Sequence, residues 1–363
     1  MGSEDIKTCI GLMSGTSLDG IDVALLKTNG ELFCEAGPWA SYPYGEGERK
    51  TIGSAYGQLE ADPAIERLVT AQHGAAVRRF IDEQQIDPEA IDLIGFHGQT
   101  VFHDPDNGVT VQLGDGDLLA EMTGIDVVFD FRSADVAAGG EGAPFASLYH
   151  AALASKLGKP IAVLNVGGVA NVTWIGKEEG DVRAFDTGPG NALLDDWCRA
   201  RTGQGFDDGG ALASKGRVDA LLLTDLLSHP YFRKPSPKSL DRDTFAEWTN
   251  SIVDGLADAD GAALLTAFTA SAVGRALEQL PEEPGRWLVC GGGRHNPAIM
   301  EALHQALNVS VEPVEAEGWQ GDALEAQAFA YLAVRSLRGL PLSLPGTTGV
   351  KKPQPGGRLA RVA

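Results

Sequence analysis

The sequence predicts a two-domain α/β protein. Apolar runs rich in β-branched residues alternate with segments of helical period, which is typical of that class. The chain has 363 residues, and a single hydrophobic core rarely supports a domain of that length. Two domains with a cleft between them are therefore expected. Its composition, 43% hydrophobic and 22% charged, is that of a folded globular protein.

The individual elements follow from these periods. Apolar runs that predict buried strands occur at 93–97, 125–129, 160–166 and 286–290, with a shorter one at 182–185. Segments with a helical period occur at 63–84, 262–280 and 322–337. Asp62 precedes Pro63 at the start of the first helix, where an N-cap residue and a proline are both favoured.

Two further segments predict hairpins. Residues 10–26, which contain GLMSGTSLDGID, and residues 162–176 each run as an apolar strand, a Gly-containing turn and a second apolar strand. On sequence alone they are either a coarse internal repeat, with one loop from each domain facing the cleft, or two ordinary hairpins.

The first of these loops has the composition of a phosphate-binding site. Its small residues let backbone N–H groups approach a ligand, and the hydroxyls of Ser14, Thr16 and Ser17 add donors. Asp19 and Asp22 would repel bare phosphates but suit an intervening Mg²⁺. The sequence contains no GxxxxGK[ST], which excludes the P-loop class, and VCGGGRHN lacks the third glycine of a Rossmann fingerprint.

Charge, cysteine spacing and the first residues indicate the surroundings of the protein. A net charge of −21 argues against nucleic-acid and anionic-membrane partners, which are held by clustered Lys and Arg. The start, MGSEDIK, has no signal-peptide pattern, and no apolar run approaches the roughly 20 residues that span a bilayer. Cys9, Cys34, Cys198 and Cys290 have no CxxC spacing and are expected to be buried thiols. We therefore expect a cytoplasmic protein in a reducing compartment.

Seven stretches together resemble the anhydro-N-acetylmuramic acid kinase family, part of the actin, Hsp70 and hexokinase superfamily. They are GLMSGTSLDGID at Gly11, GFHGQTVFHDP at Gly95, GIDVVFDFRSADVAAGGEGAP at Gly124, LNVGGVANVT at Leu164, FDTGPGN at Phe185, PKS at Pro237 and LVCGGGRHNP at Leu288. The resemblance implies a two-lobed actin-like ATPase fold, built from duplicated ribonuclease-H-like domains around a central cleft. It assigns lobe I to 1–131 plus about 345–363 and lobe II to 132–344, and it suggests a homodimer.

The resemblance also implies the reaction. Members of the family open a 1,6-anhydro amino sugar with water at C1 while O6 takes the γ-phosphoryl group of ATP, which returns cell-wall sugar to metabolism. That chemistry needs a carboxylate base and electrostatic stabilisation of the phosphoryl group. Asp186, in AFDTGPGN, matches the family's catalytic aspartate. On the residues alone, an Asp that accepts N–H bonds in a turn is the plainer interpretation.

Motif matches place the nucleotide contacts on three loops. ATP and Mg²⁺ are the expected cofactors, with Mg²⁺ held through water by Asp19 or Asp22. The predicted contacts are Gly15, Thr16, Ser17, Asp19, Gly20 and Asp22 in the first hairpin, Gly167, Gly168 and Asn171 in the second, and Gly291, Gly292 and Gly293 in an adenosine loop. The last three glycines have an alternative role, which is close packing of a helix on a strand.

The predicted sugar contacts are His97, Gln99, Thr100, Arg132, Asp135 and Glu325. His97 is alternatively a satisfied buried histidine, and Glu325 a side chain that reaches the helix flank. Arg132, the expected partner of the lactyl carboxylate, alternatively pairs with Asp135 to brace its loop. His97 and His103 have no matching Cys/His pair, so a zinc site is not expected.

Lys238 lies where this sequence departs from the family pattern. The chain reads PKSLDR where the family commonly has PKSTGR. Lys238 is interpreted either as a phosphate contact on a mobile loop or as a solvated side chain, and the role of residues 238–243 stays open.

Three rival functions remain. A kinase for another 1,6-anhydro sugar, such as levoglucosan, would keep the same base and loops. A non-catalytic ATPase switch of the actin or Hsp70 kind would need an appended partner-binding domain, for which the chain is too short. A glycoside hydrolase with paired carboxylates would leave the two Gly-rich hairpins unexplained.

Overall fold

A computed structural model of the protein describes residues 6–60, 62–178 and 180–362. Within them the strands are β1 Lys7–Met13, β2 Gly20–Thr28, β3 Cys34–Pro43, β4 Leu93–Phe96, β5 Gln99–Asp104, β6 Val109–Leu113, β7 Val127–Phe129, β8 Ile161–Val166, β9 Val169–Ile175, β10 Val182–Pro189, β11 Arg286–Cys290, β12 Ser310–Pro313 and β13 Arg358–Ala360. The helices are α1 Glu46–Gly53, α2 Pro63–Gln84, α3 Gly116–Thr123, α4 Ser133–Ala137, α5 Ser147–Leu153, α6 Ala192–Thr202, α7 Ala220–Leu226, α8 Ala246–Val253, α9 Asp258–Ala276, α10 Pro297–Leu307, α11 Leu324–Leu337 and α12 Pro345–Thr348.

The contacts within the chain divide it into two units. Unit 1 comprises Met1–Lys156 and Asp322–Ala363, and unit 2 comprises Leu157–Gly321. The main sheet of unit 1 has the strand order β13-β7-β4-β1-β2-β3, and that of unit 2 has the order β10-β9-β8-β11-β12. A separate two-stranded ribbon, β5-β6, belongs to unit 1.

Both main sheets follow one plan. Three strands form an antiparallel meander, β1-β2-β3 in unit 1 and β8-β9-β10 in unit 2. Two later strands then extend each sheet in parallel on the side of the first strand of the meander. In unit 1, β4 pairs with β1 and β7 with β4. In unit 2, β11 pairs with β8 and β12 with β11. The coarse repeat predicted from the two hairpins is therefore a repeat of a whole sheet.

The predicted strands and hairpins are present. β4 and β8 are buried throughout, as their apolar runs predict, and β11 has the predicted bounds. The strand predicted at 182–185 continues to Pro189, because a bulge between Asp186 and Gly188 lets the pairing with β9 resume. Asp186 therefore lies inside β10 and does not close it.

The predicted helices are present, some with shifted ends. α2 has the predicted bounds, and the Asp62 carboxylate caps it by accepting the Ala64 N–H at 2.8 Å. α9 begins at Asp258, four residues before the predicted start. Asp258 and Asp260 occupy its first turn, where acidic side chains favour the helix dipole.

α11 packs directly on the sheet of unit 1. It lies against β1, β2 and β4, and its backbone comes close because Gly11 and Gly95 present no side chain to it. A Cβ atom at Gly11 would overlap the carbonyl oxygen of Ala326, and one at Gly95 would overlap that of Phe329. The sheet and the helix backbone are therefore in direct contact.

The expected domain boundaries, at 131 and about 345, differ from the boundaries of the two units. They would place α4, α5 and α11 in lobe II, whereas all three belong to unit 1. The physical reason is the packing of α11 on the first sheet. α5 joins it there, since the Tyr149 hydroxyl donates to the Gln327 side-chain oxygen at 2.9 Å.

Two further observations concern the expected cellular compartment and the expected thiols. Among the described residues, no helix has both the length and the apolarity needed to cross a membrane. The four cysteines, all of them described, form no disulfide. Cys9, Cys198 and Cys290 are buried as expected, but Cys34 is half-buried, at the first position of β3.

Gly95→Ala should destabilise the protein by about 2 kcal/mol, because the new Cβ must push α11 away from β4. Urea unfolding followed by circular dichroism measures this. Gly47→Ala is the matched control, since an added Cβ on α1 meets nothing within 4 Å and alanine favours a helix. Equal stability of the two variants would show that the helix does not lie this close to the sheet.

Candidate active site

In unit 1, buried polar contacts support the loop between β1 and β2. The Ser14 hydroxyl donates to the Gln99 side-chain oxygen at 2.7 Å and accepts from the Tyr44 hydroxyl at 3.1 Å. The Gln99 amide nitrogen donates to the Gly15 carbonyl at 3.2 Å. Ser14 and Gln99 are almost completely buried. Both side chains therefore hold the loop in place, a role that differs from the predicted ones of phosphate donor and sugar contact.

The tip of this loop is exposed, and Leu18 anchors it. Leu18 has a φ of 55° and turns a buried side chain into the core. Thr16, Ser17 and Asp19 are consequently left at the surface, where the Ser17 hydroxyl donates to the Asp19 carboxylate. The predicted donors at Thr16 and Ser17 are thus accessible.

The two glycines of the loop differ in their surroundings. A Cβ atom at Gly15 would meet nothing nearer than the Ser17 hydroxyl at 3.6 Å, so the backbone there is open to a ligand. A Cβ atom at Gly20 would come within 2.7 Å of the Tyr42 carbonyl oxygen. Gly20 therefore serves the pairing of β2 with β3, and Gly15 is the better candidate for a nucleotide contact.

Asp22, half-buried on β2, lies among other carboxylates. The pKa of Asp22 is raised to about 7, chiefly by burial and also by the negative charges of Glu325, Asp19 and Asp322. A hydrogen bond with Ser41 acts in the opposite direction. Glu325 comes close because it lies in the first turn of α11, which packs on this sheet. A predicted sugar contact and a predicted Mg²⁺ contact are therefore neighbours in unit 1.

His97 and Arg132 form a linked pair. The His97 Nδ1–H donates to the Gly98 carbonyl at 2.8 Å, and Nε2 accepts from Arg132 Nε at 3.0 Å and Nη2 at 2.9 Å. Burial, and then the Arg132 charge, hold the pKa of His97 well below its usual range, which suits this neutral tautomer. Arg132 Nη1 donates to the Gly142 carbonyl at 2.5 Å. His97 thus orients Arg132.

Asp135 braces its loop from a buried position. Its carboxylate accepts the Gly142 N–H at 2.8 Å, the Thr348 hydroxyl at 2.7 Å and the Ser343 hydroxyl. These bonds tie the loop after α4 to the segment around α12. Asp135 therefore braces its loop through these contacts, and not through the pair with Arg132 that the sequence suggested.

A cavity of about 330 Å³ lies within unit 1. Its lining is mostly polar and acidic, and includes Glu66, Asp115, Asp117, Asp130 and Arg358. Of the six predicted sugar contacts, His97 lines it. Thr100 is half-buried on β5, where its hydroxyl accepts from the Gln112 amide at 3.4 Å.

In unit 2, three polar residues form a row across neighbouring strands. Asp186 on β10 pairs with Asn171 on β9, and Asn171 pairs with Asn165 on β8. Directly opposite residues project from the same face of a sheet, so the three side chains are neighbours. Asp186 is 5% exposed and Asn165 6% exposed, while Asn171 is half-buried. The predicted base thus lies beside the second hairpin.

The segment 231–240 holds Asp186 in place. The Leu240 N–H donates to Asp186 Oδ2 at 2.7 Å, and the Asp186 N–H donates to the Lys238 carbonyl at 2.9 Å. The Tyr231 hydroxyl donates to the Asp186 carbonyl at 2.5 Å. Both the backbone and the carboxylate of Asp186 are therefore oriented by one segment, and the carboxylate does not cap a simple turn.

The start of α6 fixes the tip of the second hairpin. The Asn191 N–H donates to the Gly167 carbonyl at 2.7 Å, and the Gly190 N–H donates to the Gly168 carbonyl at 2.9 Å. Carbonyl oxygens would repel a phosphate chain, and here both are occupied by donors. The geometry is compatible with the predicted phosphate role of Gly167 and Gly168.

The Gly291–Gly293 loop packs against the end of β8. Gly291 has a φ of 74°, and a Cβ atom there would overlap Asn165 Oδ1, while one at Gly293 would overlap the Val166 side chain. These two glycines therefore have the alternative role of close packing. At Gly292 the nearest atom would be 3.6 Å away, so this glycine is the one open to a ligand.

Asn165 is a candidate site residue that the sequence analysis missed. Its Oδ1 atom is buried and has no hydrogen-bond partner among the described residues. Buried polar atoms are nearly always paired, so an unpaired one beside a glycine-lined loop suggests a ligand contact. The signal was present in PIAVLNV, where Asn165 interrupts an otherwise apolar strand.

Comparison with known proteins identifies the family. The sequence profile described as anhydro-N-acetylmuramic acid kinase matches residues 7–360. The chain belongs to this family. A relative of that name from Rhodospirillum rubrum is 55% identical over 353 residues, which cover 96% of this chain and 92% of the relative. One of the same name from Acidiphilium cryptum is 54% identical, with 97% of this chain and 98% of the relative covered.

A solved structure supports the fold. Component A of (R)-2-hydroxyglutaryl-CoA dehydratase from Acidaminococcus fermentans has a TM-score of 0.51 and 12% identity, covering 92% of this chain and 99% of its own. At that identity the likeness concerns the fold alone. Together with the repeated sheet it confirms the predicted class, an α/β fold of the actin-like ATPase type. Membership of the anhydro-N-acetylmuramic acid kinase family confirms the predicted enzyme class, a phosphotransferase.

The carboxylates around Asp22 suit a hard cation, although they do not form a complete metal site. Among the residues that the structure describes, no group of three or more His, Cys, Asp and Glu side chains could hold a metal ion. Mg²⁺ prefers few carboxylates, several waters and the phosphates of a substrate. The acidic surroundings of Asp22 therefore fit a Mg²⁺ that would arrive with a nucleotide.

Asp22→Asn should raise the free energy of unfolding by up to about 4 kcal/mol at pH 8 and by less than half of that at pH 5. The folded-state pKa of Asp22 lies above its unfolded value, so the ionised carboxylate destabilises the fold increasingly as pH rises from about 4 to about 7. Urea unfolding in EDTA at both pH values measures the difference. Asp82→Asn, at an exposed position of α2, is the control, and an equal gain at both pH values would contradict the prediction.

Proposed function

We propose that the chain is a Mg²⁺- and ATP-dependent kinase that hydrolytically opens 1,6-anhydro-N-acetylmuramic acid and phosphorylates O6, giving N-acetylmuramic acid 6-phosphate. Membership of the family supports a kinase for this sugar. The observation that carries the finer proposal is the buried Asp186 carboxylate, oriented by the segment 231–240 and aligned with Asn171 at the second hairpin.

The reaction combines two steps that depend on each other. The oxygen of water bonds to C1 of the sugar, the C1–O6 bond breaks, and O6 bonds to the γ-phosphorus while the bond to ADP breaks. The sugar has no hydroxyl at C6 before this opening, so transfer alone cannot give the product. One proton of the water must leave, and a carboxylate within hydrogen-bond reach is a suitable acceptor.

Asp186 is the residue we assign as this base. A base must be held at a defined position relative to the attacking water, because misplacement costs rate. The Leu240 N–H fixes the plane of the carboxylate, and the Tyr231 and Lys238 contacts fix the backbone that carries it. Burial keeps bulk water away from the carboxylate, so the substrate water faces less competition.

The nucleotide contacts are assigned to the loop positions that are open to a ligand. Gly15, Thr16 and Ser17 offer open backbone and hydroxyl donors, and Gly292 offers the open position of its loop. Asn171 and the missed Asn165 add amide groups beside the second hairpin. Asp19 and Asp22 would hold Mg²⁺ through water, and Mg²⁺ would supply charge neutralisation of the phosphates when bound.

The sugar contacts are assigned more narrowly than the sequence alone suggests. Arg132 is proposed to bind the lactyl carboxylate, because His97 and the Gly142 carbonyl hold its guanidinium at one orientation. Thr100 and Glu325 remain proposed contacts of sugar hydroxyls. His97, Gln99 and Asp135 are proposed to support the site from buried positions.

Product analysis in ¹⁸O-water tests the proposed reaction. The protein is incubated with Mg-ATP and 1,6-anhydro-N-acetylmuramic acid, with levoglucosan in a parallel reaction, and the products are analysed by mass spectrometry. We expect a 6-phosphate that carries one ¹⁸O at C1. A phosphorylated product without the label would contradict coupled hydrolysis. Preference for levoglucosan would assign the chain to another anhydro sugar, and an opened sugar without phosphate would indicate a hydrolase.

Asp186→Asn should fold and bind ATP while its turnover falls by about 10² to 10⁴, the usual contribution of a general base. The amide keeps the size of the side chain and an oxygen for the Leu240 N–H. Steady-state kinetics and ATP calorimetry measure the two effects. Asp208→Asn, an exposed aspartate of unit 2, is the control that should keep normal turnover. Near-normal turnover of Asp186→Asn would exclude this residue as the base.

Two further expectations from the sequence, a cytoplasmic location and a homodimer, stay predictions.

A further inference from the structure

Lys238 has surroundings that neither sequence interpretation anticipates. It lies on a loop but is 2% exposed, so its side chain is not solvated. Its Nζ donates to the Tyr231 carbonyl at 3.3 Å and lies 4.4 Å from the centre of the Tyr231 ring and 5.9 Å from that of Phe185. A buried ammonium is costly unless an opposite charge compensates it.

Asp186 is the negative group that acts on Lys238. The titratable groups that face the ammonium are Asp186 on β10 and, within its own segment, Lys234 and Tyr231. The pKa of Lys238 is lowered to about 8, chiefly by burial and also by the Lys234 charge, while the Asp186 charge acts in the opposite direction. The Nζ atom contacts the Tyr231 carbonyl and the Lys238 backbone contacts Asp186, so the ammonium is a buried positive charge within the segment that holds the proposed base.

The same segment also meets Asp186 through its backbone. The Lys238 carbonyl accepts the Asp186 N–H, and the Leu240 N–H donates to the carboxylate. The contact at residue 240 uses a backbone group, so leucine makes it as well as threonine would. This explains why leucine can stand at position 240 where the family commonly has threonine.

We propose that Lys238 is a positioning residue for Asp186, whose buried ammonium holds the carboxylate ionised while the Lys238 and Leu240 backbones set its direction. The inference rests on the proposed function, in which Asp186 accepts a proton from water. A base inside a dry strand must be ionised before it can act, and a cation buried beside it favours that form. A contact between Lys238 and the phosphates of ATP is not required.

The test is the pH profile of kcat/KM for the full-length protein and its variants, with the KM for ATP measured alongside. For Lys238→Met we expect the acid limb to move up by about one pH unit, so that kcat/KM on the acid side falls about tenfold, with the KM for ATP unchanged. For Lys238→Arg, which keeps a positive charge, we expect the acid limb to stay at the wild-type pH.

Arg233→Met is the matched control, since it removes one exposed positive charge from the same segment and should leave both limbs in place. An unmoved acid limb in Lys238→Met would overturn the proposal. A raised KM for ATP would then indicate a phosphate contact, and a lower melting temperature alone would indicate a packing role. If Lys238→Met does not fold, Lys238→Gln takes its place, and an acid limb at the wild-type pH in that variant would overturn the proposal.

The two sets of variants distinguish an error in the role of Lys238 from an error in the proposed base. If Asp186→Asn turns over normally, the proposed base is wrong and the role of Lys238 falls with it. If Asp186→Asn is inactive and the Lys238 variants keep the wild-type pH profile, the base stands and the positioning role alone is wrong.

Discussion

The close approach of α11 to the first sheet is the contact on which the arrangement of unit 1 depends. Two positions without side chains, Gly11 and Gly95, allow a helix backbone to touch two neighbouring strands. That contact brings Glu325 to the first hairpin and places its charge near Asp22. A helix held at the ordinary distance of side-chain packing would leave this carboxylate away from the strand. The acidic surroundings proposed for Mg²⁺ are thus a result of glycine positions far away in the sequence.

Unit 2 places its main carboxylate by different means. Asp186 sits inside a strand, and donors and acceptors from the segment 231–240 contact both its backbone and its side chain. Most of these contacts are made by backbone atoms, which fix direction without depending on side-chain identity. Lys238 adds the charge that such a buried carboxylate needs. In both units the chemistry depends on segments that come from distant parts of the chain.

Local patterns predicted the elements well, and long-range packing explains what they missed. The apolar runs predicted β4, β8 and β11, and Asp62 marked the start of α2, because strand burial and helix caps are local. Gln99 and Asp135 looked accessible because polar residues after strands often are, yet partners elsewhere in the chain bury them. The expected lobe of α11 differs from the unit to which it belongs for the same reason, since nothing within 322–337 indicates which sheet it covers. Asn165 was overlooked although its polarity within an apolar strand was visible.

The order of the segments has a consequence for how the protein is made. Unit 2 is one continuous stretch, whereas unit 1 begins at the N-terminus and is completed by α11, α12 and β13. During synthesis unit 2 can therefore close before unit 1 receives the helix that covers β1, β2 and β4. Until then these strands pack against α2 on one face, and the other face lacks α11. Residues 322–363 thus complete a unit whose first part is synthesised before unit 2.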